Sequence, residues 1–243
     1  MANKYHTLTI TLFLVSLLIT GPSAAQTIKP DECVILLHGL ARSSSSMNPL
    51  EKALKKEGYA VQNIGYNSKQ HIIEKLAKSV IPPAIEKCNT PEKIHFVTHS
   101  MGGILLRQYM SQHHINNLGK TVMLGPPNQG SEVVDKLNNF PGFSFINGKA
   151  GLQLGTGKTS VPNTLGPVNF ELGIIAGSRS LNLILSQLIP GKDDGKVSVA
   201  NTKVDGMNDH ITLPVTHTFM MNNKAVTHQV IHYLKSGTFS RKD

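Results

Sequence analysis

Ile94-His95-Phe96-Val97-Thr98-His99-Ser100-Met101-Gly102-Gly103 is the stretch on which the fold turns. A short apolar run, Ile94 to Thr98, reads as a buried strand. It breaks at a serine, and the chain then takes up helical spacing from Gly102 to Gln112. A strand, one serine and two glycines opening a helix nearly match the G-x-S-x-G elbow, with Thr98 in the place of the first glycine. Such a turn holds its serine in a strained backbone conformation and lifts Oγ above the sheet edge, where a helix N-terminus favours negative charge. Small residues beside the serine let strand and helix approach closely; Gly102 supplies one. An ordinary helix N-cap is the bland alternative for Ser100, and the strand ahead of it argues for a nucleophile.

The same alternation continues on both sides. Upstream, Cys33–Leu37 is a continuous apolar run ending at His38-Gly39-Leu40. Leu50, Ala53 and Leu54 mark a helix ending near Gly58, and Ala60–Ile64 is a second strand. Ile72, Ile73, Leu76 and Val80 form a helical stripe expected to kink or stop at Pro82-Pro83. Downstream, Thr121–Leu124, Gly173–Ala176 and Ile211–Val215 are further strands, and a helix over Asn222–Leu234 closes the chain. Strand alternating with helix predicts an α/β domain: a mostly parallel, doubly wound sheet with helices on both faces. The Gly- and Pro-rich stretch 138–167, carrying Phe140, Phe143, Phe145 and Ile146, interrupts the pattern and reads as a functional loop forming an acyl-side wall or small flap.

A serine hydroxyl is a poor nucleophile unless a base takes its proton and a carboxylate orients that base. In this architecture the expected chain order is Ser, then acid, then His. Two strand-end loops offer them. Lys192-Asp193-Asp194-Gly195 is an acidic turn in which either aspartate can serve, and His217 follows the last strand. His210 competes with His217 but precedes that strand, on the edge away from the site. The amides of Leu40, after the His38-Gly39 turn, and of Met101 are the expected oxyanion donors. His99 and His38 read as packing or hydrogen-bonding residues. The adjacent pair His113-His114 does not share a helix face as a metal pair would, and Asp205 and Asp209 match no known cation loop. Gly155-Thr156-Gly157-Lys158-Thr159 fails as a phosphate loop, because Leu152 stands where the pattern needs glycine.

Five segments carry a family resemblance: LLHGL (36–40), VTHSMGG (97–103), LGPPNQGS (124–131), DDGKVSV (193–199) and LPVTHTF (213–219). Together they resemble the small bacterial lipase and esterase branch of the α/β-hydrolase superfamily. The resemblance implies an α/β-hydrolase fold with a minimal lid and a carboxylic ester hydrolase working through an acyl-enzyme. Its D-G-x-V segment points to Asp194 as the acid. Thioesterase, phospholipase and acyltransferase chemistry would run on the same set, and a non-catalytic binding protein of this fold is the rival from another class. No cofactor or metal is expected. In the resembling family the strands beginning at Cys33 and near Ile94 are neighbours, which implies a Cys33–Cys88 disulfide.

The first residues bear on location. Lys4 and His6 precede an apolar run, Leu8–Ile19, that ends in Ser23-Ala24-Ala25, the pattern of a secretory leader over residues 1–25 ahead of a domain over 26–243. The protein is therefore expected outside the cytoplasm, in the periplasm or medium, where the two cysteines can pair. A 40% apolar content excludes disorder. The net charge of +9 is scattered, without interleaved aromatics, so nucleic acid is not an expected partner. A small-molecule or lipid ester substrate, transient contact with a lipid surface and a monomeric state are expected.

Overall fold

The computed structural model describes residue 1 and residues 31–241, apart from 139, 141 and 182. The expected leader lies, Met1 aside, outside the described residues. Six parallel strands form one sheet in the order β2-β1-β3-β4-β5-β6. They are β1 (Glu32–Leu37), β2 (Ala60–Ile64), β3 (Lys93–His99), β4 (Leu118–Leu124), β5 (Leu172–Gly177) and β6 (Asp209–Leu213). Between and after them run α1 (Asn48–Lys56), α2 (Ile73–Glu86), α3 (Met101–Met110), α4 (Glu132–Leu137), α5 (Phe143–Gly151), α6 (Val161–Thr164), α7 (Leu183–Ser186) and α8 (Lys224–Ser236).

Strand side chains alternate between two cores, so both sheet faces must be covered. Val34, Leu36, Val97, Val122 and Ile175 pack with Leu50 and Leu54 of α1 and Val226, Val230 and Tyr233 of α8. Ile35, Leu37, Phe96, Met123 and Ile174 pack on the other face with Ala77, Ile81 and Ala84 of α2 and Leu106 of α3. This is the doubly wound α/β-hydrolase architecture. The parallel register Leu37↔Thr98 and His99↔Leu124 brings the carboxyl ends of β1, β3 and β4 to one edge. That edge is where ligands bind in such sheets.

Three details correct the expectations. Helix α2 does not stop at Pro82-Pro83 but runs on to Glu86. Each proline lacks the N–H that would bond the Lys78 or Ser79 carbonyl, and burial of Ile81 and Ala84 on the sheet offsets that loss. The last strand is Asp209–Leu213 rather than Ile211–Val215, so His210 lies inside it. The stretch 138–167 is not all loop: α5 and α6 lie within it, and Ala150 and Leu154 are buried against Ile104 and Leu105 of α3. Cys33 and Cys88 are joined by a disulfide, with Cα atoms 5.8 Å apart.

Candidate active site

Ser100 sits between β3 and α3 at φ +53°, ψ −123°, a backbone conformation rare for any residue with a side chain. Its N–H donates to the Leu124 carbonyl at 2.9 Å, and Gly103 N–H donates back to its carbonyl at 3.0 Å. The strain, typically about 1–3 kcal/mol, is held because the neighbours leave no alternative. A Cβ on Gly102 would lie 2.6 Å from the Leu37 carbonyl oxygen, so only glycine lets α3 come so close to β1. Thr98, in place of the usual first glycine, is fully buried. A Cβ on Gly103 would lie 3.2 Å from Thr98 Oγ1; the second glycine of the pair makes room for the threonine.

Ser100 Oγ–H donates to His217 Nε2 at 3.0 Å, and His217 Nδ1–H donates to Asp194 Oδ2 at 2.7 Å. His217 opens the 3-10 segment His217–Asn222 after β6, and its N–H donates to the Asp194 carbonyl at 2.9 Å. The other Asp194 oxygen accepts from the Lys196 and Val197 amides at 3.0 and 2.9 Å. Asp194 is thus buried, with both oxygens occupied. Asp193 faces elsewhere: its carboxylate accepts from Ser186 Oγ and the Gly195 amide, each at 2.7 Å. His210 is engaged away from this chain, its Nε2 lying 3.0 Å from Thr202 Oγ1. Leu40 lines the cleft with Ser100 and His217. A Cβ on Gly39 would come within 3.0 Å of Ser100 Cβ, so the His38-Gly39-Leu40 turn abuts the nucleophile position.

Further residues shape the site beyond the relay: Gly125 of the LGPPNQGS segment and His99, expected to pack or hydrogen-bond, and Gly177 and Arg107, which no sequence motif singled out. Gly125 (φ +53°) directly follows β4, and a Cβ there would lie 2.9 Å from Asp194 Oδ2 and 3.1 Å from His217 Nδ1. Gly177 ends β5, and a Cβ there would meet Asp194 Cβ at 2.8 Å. Glycines closing two adjacent strands were the available signal. His99 is buried; its Nε2–H donates to the His217 carbonyl at 3.0 Å, holding the backbone of the histidine it faces. Burial first, and then the nearby His217, push its pKa well below the ordinary value, so it stays neutral. Arg107 binds the Asn128 carbonyl and side chain (2.9 and 3.2 Å) and the Pro162 and Gly166 carbonyls (3.1 and 2.8 Å), fixing two loops.

The cleft above Ser100 encloses about 130 Å³. Leu40, Pro127, Val133, Val134 and Leu154 form its apolar wall, and Arg42, Lys196 and Thr218 its polar side. Asn147 brings α5 to the wall. The side chains of Phe143 and Ile146 lie outside the described residues, whereas Phe140 and Phe145 are exposed.

Residues 33–162, just over half of the chain, match the family model described as palmitoyl protein thioesterase; the match spans Ser100 and ends before Asp194 and His217. Among solved structures, the chain is similar to the Bacillus licheniformis lipase BlEst2 in mature form: 18% identity, TM-score 0.66, 83% of this chain and 91% of that one covered. It is similar to the phospholipase PlaB from Legionella pneumophila at 17% identity and TM-score 0.69, covering 86% of this chain and 60% of that one. The Pyrococcus furiosus esterase PF2001 matches at 17% identity and TM-score 0.59, with 85% and 82% covered. At these identities the likeness is one of fold. No curated protein matches the chain.

Proposed function

Since this chain belongs to the palmitoyl protein thioesterase family, we propose that it is a serine hydrolase that cleaves acyl esters through an acyl-enzyme. The observation that carries this reading is the relay Ser100–His217–Asp194 at a strained elbow. Ser100 Oγ attacks the acyl carbonyl while His217 Nε2 takes its proton, and Asp194 holds the Nδ1–H and stabilises the imidazolium. The amides of Leu40 and Met101 receive the oxyanion. Collapse breaks the bond to the leaving group, which leaves with the proton from His217. Water then repeats the sequence and frees Ser100 and a carboxylic acid.

Carboxylic esters are the primary substrates in this reading. The family match favours thioesters as the second, because the same acyl-enzyme forms with a thiol as leaving group. The enclosed cleft is close in size to cavities that accept about a six-carbon ring, so the acyl carbons nearest the carbonyl fit inside and a longer chain runs out over the rim. That rim suits a lipid surface. Phe145 and Phe219 are exposed and lie close in the chain to the cleft-lining Asn147 and Thr218, while Leu183 and Ile184 are exposed near Leu181, which lines a second hollow with His217 and Thr218. Between residues 138 and 200 the acidic residues are Glu171, Asp193 and Asp194. The two aspartates are buried, and Glu171 precedes β5 at the opposite sheet edge. Lys149, Arg179, Lys192 and Lys196 are exposed, Lys196 in the cleft wall itself, and they complement anionic headgroups.

Hydrolysis of p-nitrophenyl butyrate, p-nitrophenyl palmitate and an S-palmitoyl peptide, with Ser100→Ala alongside, tests the reading. Turnover that vanishes in the variant is expected, and the ratio among the three substrates assigns the class. A folded wild-type protein that turns over none of them and resists fluorophosphonate would sink it.

A further inference from the structure

Four contacts join the loop between β2 and α2 to the turn after β1, and the mechanism above uses none of them. The Tyr66 hydroxyl donates to the His38 carbonyl oxygen. The Tyr66 ring stacks on the His38 ring, centroids 4.0 Å apart and planes 13° from parallel. The Tyr66 N–H points at His38 Nε2 from 3.4 Å, while His38 Nδ1–H donates to the Gly39 carbonyl at 2.9 Å. Two residues on, buried Ser68 accepts the Ala41 N–H on its Oγ at 2.9 Å. Ala41 is held at φ +53°, in the left-handed region that residues with a Cβ seldom occupy.

We infer that Tyr66 and Ser68 are positioning residues that set the Leu40 amide for the oxyanion. This rests on the proposed acyl-transfer reading. The physical reason lies in where the contacts fall. Leu40 stands between His38, whose carbonyl is fixed by Tyr66, and Ala41, whose N–H is committed to Ser68. Gly39 is the one residue of this turn without a Cβ, and left alone its peptide units would rotate freely. Contacts at 38 and 41 remove that freedom from outside, and Ser100 and His99 press on Gly39 from the site side. A donor held in place before the reaction needs no reorganisation when negative charge develops. Burial raises the Tyr66 pKa, so its hydroxyl stays a donor wherever the enzyme works.

Tyr66→Phe keeps the ring stack and removes only the donated hydrogen bond; Ser68→Ala removes the other contact, and Ser68→Thr keeps a hydroxyl. The full-length protein and each variant would be assayed on p-nitrophenyl butyrate. Affinities would be measured for a trifluoromethyl ketone, which forms an anionic adduct with Ser100, and for an unreactive amide of the same acyl chain. Tyr66→Phe and Ser68→Ala are each expected to lower kcat by about 10- to 100-fold, the range in which an ångström of misplacement acts. KM should stay within about twofold, since the contact acts on the transition state. Ketone affinity should fall in parallel with kcat, amide affinity should hold, and Ser68→Thr should restore most of the rate. Folded Tyr66→Phe and Ser68→Ala proteins with wild-type kcat would overturn the inference. So would ketone and amide affinities that fall together with the melting temperature, since that is the mark of a merely structural contact. A wild-type protein without turnover or fluorophosphonate labelling would instead fail the acyl-transfer reading itself, and the inference with it.

Discussion

Asp193 and Asp194 are neighbours in the chain with opposite surroundings. The Asp194 carboxylate faces His217 Nδ1, while Asp193 ties Ser186 to the Gly195 amide. Asp194→Asn should therefore leave the fold intact and lower kcat by about 10⁴-fold, because an amide there favours the wrong histidine tautomer. Asp193→Asn should act on the stability of its turn and leave kcat within about an order of magnitude. Steady-state rates of the two variants decide; equal losses would mean that the two aspartates are not separated in role as their contacts separate them. The sequence alone left both aspartates open, and only the D-G-x-V resemblance favoured the second. What distinguishes them is which way each side chain leaves a tight turn, and a turn's direction is set by the strands it joins.

At the scale of elements, the Cys33–Cys88 disulfide ties the start of β1 to the chain just ahead of β3, closing 55 residues that include α1, β2 and α2. A loop of that length makes the bridge worth about 3–4 kcal/mol through loss of freedom in the unfolded chain. The double variant Cys33→Ala, Cys88→Ala should melt on the order of 10 °C lower than the oxidised protein, as a chain of this size loses about 2–4 °C per kcal/mol. Calorimetry at fixed pH reads this, and an unchanged melting temperature would rule the bridge out as a stabilising element. Strands and long helices were legible from apolar periodicity, because burial on one or both faces writes itself into residue spacing. Continuation of α2 past its two prolines was not. Local propensity argues for a stop there, and the packing of Ile81 and Ala84 on the sheet prevails.

Across the molecule, His38, His95, His99 and His210 all have pKa values lowered from the ordinary histidine value, with burial as the first cause in each. In the unfolded chain they take up protons near pH 6.5. Below that value the unfolded state binds more protons than the folded one, so stability falls as pH falls and is fully present above it. Melting temperature should drop on going from pH 7.5 to pH 5, and His99→Gln should flatten that slope; a melting temperature independent of pH over this range would contradict it. The exposed apolar rim with its lysines and arginine calls for a second whole-molecule measurement. Co-sedimentation should show binding to vesicles containing phosphatidylglycerol that weakens with salt and is weaker still on neutral phosphatidylcholine. Equal binding to neither would remove the lipid surface from the proposal.

By itself the sequence determined the parallel, doubly wound sheet, the elbow serine and the order of the candidate relay, because hydrophobic spacing and strand-to-helix turns are local properties. Tertiary structure alone decided which aspartate meets His217, that glycines 125 and 177 clear the space for that pair, and that Tyr66 and Ser68 hold the turn beside Ser100. Ser100 and His217 are 117 residues apart and Tyr66 and His38 are 28 apart. Contacts of that kind arise from the lateral order and register of strands, which no single segment encodes.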